Sequence, residues 1–192
     1  MARNRQQIPK ADRQAEVLSH ARQLFVAKGY RATSVTQVGK AAGIASAAVH
    51  WYFPTKDDLF AAVLGQIFDE ARADVEDLDV TPEEKLVRLL EATKAYRIIH
   101  REAYERMAES QGLRAVYSET AEWLECQLLL SVEQRLPAGY DTAAIADVAH
   151  VLFEGLLVSQ RDLDRPIGEI VRLLIDALVA SATAESAVSP ER

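Results

Sequence analysis

An all-α architecture of about nine helices is what this sequence predicts, and three observations carry the prediction. Apolar residues recur at helical spacing along most of the chain. Ala, Leu, Glu, Arg and Gln outnumber the β-branched residues, and only six Pro and eight Gly interrupt 192 residues. That length suffices for one large or two small domains with a real core. Hydrophobic residues make up 49% and charged residues 27%, the balance of a soluble globular protein. No apolar stretch approaches the ~20 residues that span a bilayer. The basic start "MARNRQQIPKADRQ" lacks the apolar segment of a signal peptide. Cys126 is the single cysteine and has no internal disulfide partner, which suits a reducing compartment. The expectation is a cytoplasmic protein with no membrane partner and no metal or cofactor.

Each element has its own signal. From Ala11 to Lys28, apolar residues at Ala15, Val17, Leu18, Ala21, Leu24 and Phe25 form an amphipathic stripe that Gly29 ends. Thr33 or Ser34 caps a short second helix carrying Val35, Val38 and Ala42, closed by Gly43. A third helix of barely two turns runs from Ile44 to Tyr52, and Pro54 stops it. Thr55 caps the fourth, with Asp58 at the capping-box position, and the helix continues through Leu59, Val63, Ile67 and Ala71. In "DVTPEEK", Thr81 is a cap and Pro82 the first helical position. The following helix is expected to run through Leu86, Leu89, Leu90, Ala95 and Ile98. Further helices are expected over 102–111, 115–135, 141–160 and 166–183. Their breaks fall near Gly112, Pro137-Ala138-Gly139 and Asp164-Arg165-Pro166, and "AESAVSPER" reads as a frayed tail.

The last two helices are apolar around more than one face. Ile145, Val148, Leu152, Phe153, Leu156 and Leu157 lie on one, and Ile167, Ile170, Val171, Leu173, Leu174, Ile175, Leu178 and Val179 on the other. A deeply buried helix has this pattern. So does a subunit interface in which the pair docks on its copy as a four-helix bundle, with Leu152, Leu156, Ile170, Leu174 and Leu178 at the contact. The homodimer is the expectation taken here.

Charge is divided unevenly. The chain carries a net −7, but residues 1–60 hold nine Lys/Arg against four Asp/Glu and residues 61–192 hold thirteen against twenty-five. The first third suits an anionic partner although the whole does not. That third also contains two short helices joined at a glycine, the second nearly bare of large side chains, as in a helix-turn-helix. Ile44 and Val49 suit the domain core. Ser46, Ala47, Ala48 and His50 are left to face a major groove, where alanine methyls suit thymine methyls and the polar groups reach base edges or phosphates. Tyr52 and Trp51 suit the sugar–phosphate wall or the junction with the next helix. Lys56 stands in the first turn of that helix, where free N–H groups favour a phosphate.

The stretch "ARQLFVAKGYRATSVTQVGKAAGIASAAVHWYFPTKDDLFAAVL" resembles the N-terminal domain of the TetR family of transcriptional regulators. Phe25, Gly29-Tyr30, Thr33-Ser34-Val35, Val38, Ala42-Gly43-Ile44, Val49, Tyr52-Phe53, Lys56 and Leu59 carry the resemblance, which covers residues 14–64. Beyond them the chain matches only in helix count and length. Four positions depart from the pattern: Ala45 replaces the usual capping Ser, Ala47-Ala48 the frequent Gly-Thr pair, and His50 the common phosphate-contacting Tyr. The resemblance implies a DNA-binding domain over 1–54 and a ligand-binding and dimerisation domain over 55–192. It implies DNA contacts at Ser34, Thr36, Ser46, Ala47, Ala48, His50, Tyr52 and Lys56. The basic arm of Arg3, Arg5, Lys10 and Arg13 is a candidate for a phosphate or minor-groove contact.

The resemblance further implies a repressor that binds a palindromic operator in double-stranded DNA as a dimer. A small-molecule effector would release it by moving the fourth helix. Tyr96, His100, Tyr104, Met107, Trp123, Cys126, Gln127, His150 and Phe153 are the candidate effector residues, since apolar and aromatic walls with few polar groups make such sites. Tyr96, His100 and Tyr104 share one face if their helix is continuous. The apolar "QLLL" after Cys126 points to a buried, inert thiol. The alternative is a helical-bundle enzyme or small-molecule-binding protein with no DNA role. Against the enzyme, the one Asp147-x-x-His150 falls short of a di-metal bundle, and no Gly-rich phosphate loop, zinc cluster or nucleophile elbow is present.

Overall fold

The computed structural model describes residues 10–137, 140, 142–159 and 163–188. Among them are nine α-helices and no strand: α1 (Lys10–Lys28), α2 (Val35–Ala41), α3 (Ser46–His50), α4 (Lys56–Glu76), α5 (Pro82–Thr93), α6 (Arg97–Arg106), α7 (Gln111–Val132), α8 (Ala143–Val158) and α9 (Ile167–Val188). Short 3-10 turns occupy Lys94–Tyr96 and Glu133–Arg135. Arg3 and Arg5 of the basic arm lie outside the described residues, as do Ala138, Gly139 and the last four residues of the expected frayed tail.

α4 is the axis of the molecule, packing on α1, α5 and α7 and touching α6. Leu59, Phe60, Val63, Leu64, Ile67 and Phe68 along it are all buried, and they join a single apolar cluster that reaches from Val17 on α1 to Ile175 on α9. α8 packs on α6 and α7, and α9 on α5 and α7.

The caps form as the side chains dictate. Ser34 and Gln37 close a capping box at the head of α2, and Thr55 and Asp58 another at the head of α4. Thr81 Oγ1 accepts from the Glu84 amide at 3.2 Å, with Pro82 at the first position of α5. Thr33 instead is buried, its hydroxyl donating to the Gly29 carbonyl at 2.8 Å. Gly29 has φ +80°, a left-handed helix end. Gly39 serves closeness instead: a Cβ there would sit 2.9 Å from the Ile44 carbonyl, so α2 approaches the start of α3 only without one.

Four expectations need correction. The helix from Pro82 does not continue to Ile98. The buried Thr93 hydroxyl turns back onto the Leu89 and Leu90 carbonyls at 3.0 and 3.2 Å, a bond that bends helices, and a 3-10 turn separates α5 from α6. Tyr96 therefore precedes α6, and Tyr96, His100 and Tyr104 do not share one face. Next, α7 starts at Gln111 because Ser110 accepts from the Leu113 amide at 3.3 Å. Gly112 is thus inside the first turn rather than a break, and its missing Cβ would come within 3.2 Å of Ala61 on α4. Cys126 is exposed, because the "QLLL" that follows it buries Leu128 while Cys126 itself points to an open cleft. Finally, α9 extends to Val188, past the expected end at 183.

Candidate functional site

α2, the turn at Gly43 (φ +68°) and α3 build a helix-turn-helix. Val38, Ala42 and Val49 point into the core and fix the pair on α1 and α4. On the outer side Ser34, Thr36, Ala47 and His50 are exposed, while Ser46, Ala48, Tyr52 and Lys56 are half-buried. Ala45, in extended conformation, makes no side-chain cap to α3. Trp51 caps the other end of α3 and is 84% exposed. The result is a smooth, small-residue ridge flanked by one large free ring. His50 Nδ1 is 2.9 Å from the Pro54 carbonyl, which ties the end of α3 to the turn before α4.

Lys56 is less free than a bare phosphate contact. Its Nζ lies 3.8 Å from the centre of the Tyr30 ring, and burial, then the neighbouring Arg106, hold its pKa below the usual lysine value. Arg106 lies over the same ring at 4.6 Å and takes the Asp57 carboxylate as a fork, Nε to Oδ1 at 2.8 Å and Nη2 to Oδ2 at 2.7 Å. The Tyr30 hydroxyl donates to the same carboxylate. The Arg106 bonds hold the Asp57 carboxyl below its ordinary pKa, and burial with the Asp57 bond holds the Tyr30 phenol protonated. One turn earlier on α6, Glu102 accepts from the Tyr30 amide at 2.6 Å, and Glu105 pairs with Arg31 at 3.0 Å. The end of α6 thus holds both the α1–α2 turn and the first turn of α4.

The other side of α6 faces a narrow cavity of about 60 Å³ between α6, α7 and α8. Met107, His150 and Phe153 line it together with Tyr117, Leu124, Glu154 and Leu157. Tyr104 stands at its edge, its hydroxyl donating to Glu154 at 3.0 Å, with His150 Nε2 3.4 Å from the same carboxylate. His100 is fully buried behind Tyr117 and stacked on Phe68. The Tyr117 hydroxyl lies 2.9 Å from His100 Nδ1 and donates to the His100 carbonyl at 3.1 Å. Its one hydrogen is used there, so Nδ1 carries the ring hydrogen and Nε2, buried without a partner, is a bare acceptor. Burial pushes the His100 pKa down to about 4, keeping the ring neutral.

The remaining candidates disperse. Tyr96 faces α1, its hydroxyl accepting from Arg22 at 3.2 Å. Cys126 lines a separate open cleft of about 390 Å³ with Glu122, Glu125 and Leu129. Trp123 and Gln127 are half-buried on α7 and line neither space. On α8, Leu152 and Leu156 are half-buried beside Val151, which is 71% exposed; on α9, Ile170, Leu174 and Leu178 are half-buried beside Leu173, 68% exposed.

Residues 17–63 match the family model of bacterial regulatory proteins of the tetR family. The chain is 24% identical to the HTH-type transcriptional regulator AcrR of Shigella flexneri over 220 aligned positions, which take in 100% of each chain. It is 28% identical to the HTH-type transcriptional regulator BetI of Rhizobium meliloti over 155 residues, 73% of each. Among solved structures it superposes on a tetR-family transcriptional regulator from Streptomyces coelicolor with a TM-score of 0.66. That alignment has 19% identity and covers 94% of this chain and 84% of the other. The chain therefore carries a TetR-family DNA-binding domain over residues 17–63.

It is accordingly a ligand-responsive DNA-binding regulator and not an enzyme. Among the described residues, no helix is long and apolar enough to cross a membrane. Several side chains that shape this regulator carried no sequence signal strong enough to single them out. Arg106 and Asp57 are 49 positions apart. Glu102 acts on a backbone amide, which no pairing of residue types reveals. Glu154 was within reach, since it follows His150 by one helical turn.

Proposed function

We propose that this regulator is a cytoplasmic repressor that binds a palindromic operator as a homodimer and leaves it when a small molecule enters the cavity between α6, α7 and α8. Residues 1–54 would contact DNA, and residues 55–192 would hold the effector and the dimer contact. In each protomer α3 would enter the major groove with Ser46, Ala47, Ala48 and His50. Ser34, Thr36, Tyr52 and Lys56 would flank it on the backbone. The single observation that supports the coupling is the placement of Met107 and Arg106 side by side: Met107 lines the cavity and Arg106 grips Asp57 at the head of α4.

The cavity is tight compared with the several hundred cubic ångströms of an ordinary small-molecule site. An effector would have to part α6 from α8, and the Arg106 fork would carry that displacement to α4 and the helix-turn-helix. Val151 and Leu173, apolar and exposed beside the half-buried Leu152, Leu156 and Leu174, support α8 and α9 as the dimer face. The test is displacement of bound DNA by a library of small apolar compounds, repeated on Phe153→Trp, which fills the cavity. Compounds that release the wild type but not the variant support this site; equal release from both moves it elsewhere.

A further inference from the structure

The Pro54 carbonyl decides which nitrogen of His50 carries hydrogen. His50 Nδ1 lies 2.9 Å from that oxygen, and a carbonyl only accepts, so Nδ1 donates. A neutral imidazole has one donor and one acceptor nitrogen. With the hydrogen committed to Nδ1, the outward Nε2 of this exposed side chain offers a lone pair. The charged groups on the adjoining elements are engaged elsewhere or stand on α2. Lys56 is over the Tyr30 ring, Asp57 is in the Arg106 fork, Asp58 accepts from Thr55, and Lys40 is exposed near the end of α2.

A bare acceptor narrows what His50 can meet on DNA. Phosphate oxygens are acceptors, as are guanine O6 and N7 and thymine O4. The donors displayed in the major groove are the amino groups at adenine N6 and cytosine N4. Resting on the reading that α3 enters that groove, we propose that neutral His50 is a specificity-determining residue. It accepts a hydrogen bond from the amino group of an adenine or cytosine and is not a phosphate anchor. Where a base with a carbonyl oxygen stands at that place, two acceptors confront each other. Protonation reverses the preference, because an imidazolium donates from both nitrogens; it loses the amino contact and gains a phosphate. The two assignments therefore predict pH responses of opposite sign.

The test uses the full chain and its selected operator, with every half-site base pair substituted in turn. Affinities are measured for wild type, His50→Gln and His50→Ala at pH 7.5 and 5.5. Gln keeps an acceptor but does not titrate, and circular dichroism checks that each variant folds. The expected result is one adenine- or cytosine-bearing position whose substitution costs the wild type about fivefold at pH 7.5. His50→Ala loses that preference alone, and wild-type affinity falls on acidification relative to His50→Gln. Wild-type affinity that rises on acidification, uniformly across bases, makes His50 a phosphate contact and overturns the proposal. Specific binding unchanged in His50→Ala overturns it too, while leaving the regulator intact. A wild type without any preferred sequence overturns both.

Discussion

Arg106 and Asp57 meet as a two-bond fork, at 2.8 and 2.7 Å, that joins the last turn of α6 to the first turn of α4. The bond lies between the cavity and the helix-turn-helix, and Tyr30 completes it by donating to the same carboxylate. A part-buried guanidinium–carboxylate fork is directional, and in the proposed release mechanism it would carry a shift of α6 to α4.

Removing either partner should destabilise the protein and loosen this connection. Arg106→Gln and Asp57→Asn are each expected to cost about 1.5–3 kcal/mol, the range for hydrogen bonds to charged groups. The double variant should lose little more than one of them, a non-additivity that a double-mutant cycle by urea unfolding reads directly. Additive losses would mean that the two groups do not act together.

Acid should act on the protein in two separate ranges. His100 is buried neutral with its pKa at about 4, whereas in the unfolded chain the ring protonates near 6.5. The unfolded state therefore binds more protons between these values. Stability falls as pH drops from 6.5 towards 4, by roughly 3 kcal/mol in total. Asp57 is lowered below the ordinary carboxylate value, so its contribution is full above that value and is lost only at still lower pH, as pH falls through the lowered pKa. Urea unfolding across pH 7.5 to 4 should show the first loss, and His100→Phe should flatten it. An unchanged slope in that variant would assign the acid sensitivity to other groups.

Lys56→Ala should weaken binding to all DNA sequences alike. The slope of log affinity against log salt should become shallower by about 0.9, one phosphate's worth. Loss of the contact with the Tyr30 ring adds a stability cost of about 0.5–1 kcal/mol, visible in DNA-free unfolding. An unchanged salt slope would leave Lys56 with the structural role alone.

Val151→Glu and Leu173→Glu place charge on side chains that are exposed in the single chain, so neither should harm its folding. Both are expected to give monomers in sedimentation. Persistent dimers would place the subunit contact away from these faces of α8 and α9.

The fold was legible wherever a single residue type has one local use. Gly29 at φ +80°, Ser34 before α2, the Thr55–Asp58 pair and Thr81-Pro82 all mark helix ends that formed where the pattern placed them. The smallness of α3 was legible for the same reason. What escaped depends on distant partners or on competition within a turn. Thr93 breaks its helix because its hydroxyl is buried, which periodicity does not register. Arg106 finds Asp57 only because α6 and α4 meet, and the Tyr96–His100–Tyr104 face dissolved once the 3-10 turn rotated Tyr96 towards Arg22. The effector candidates converged only in part, at Met107, His150 and Phe153, with Tyr104 at the edge.

Operator recognition by a dimer is tested most directly by selection of preferred sites from random duplexes with the purified full chain. Fluorescence anisotropy on the enriched site follows, at about 50 and 200 mM salt with nonspecific competitor. The expected result is an inverted repeat whose binding survives competitor and weakens steeply with salt. No enrichment, or binding that competitor abolishes, would contradict it.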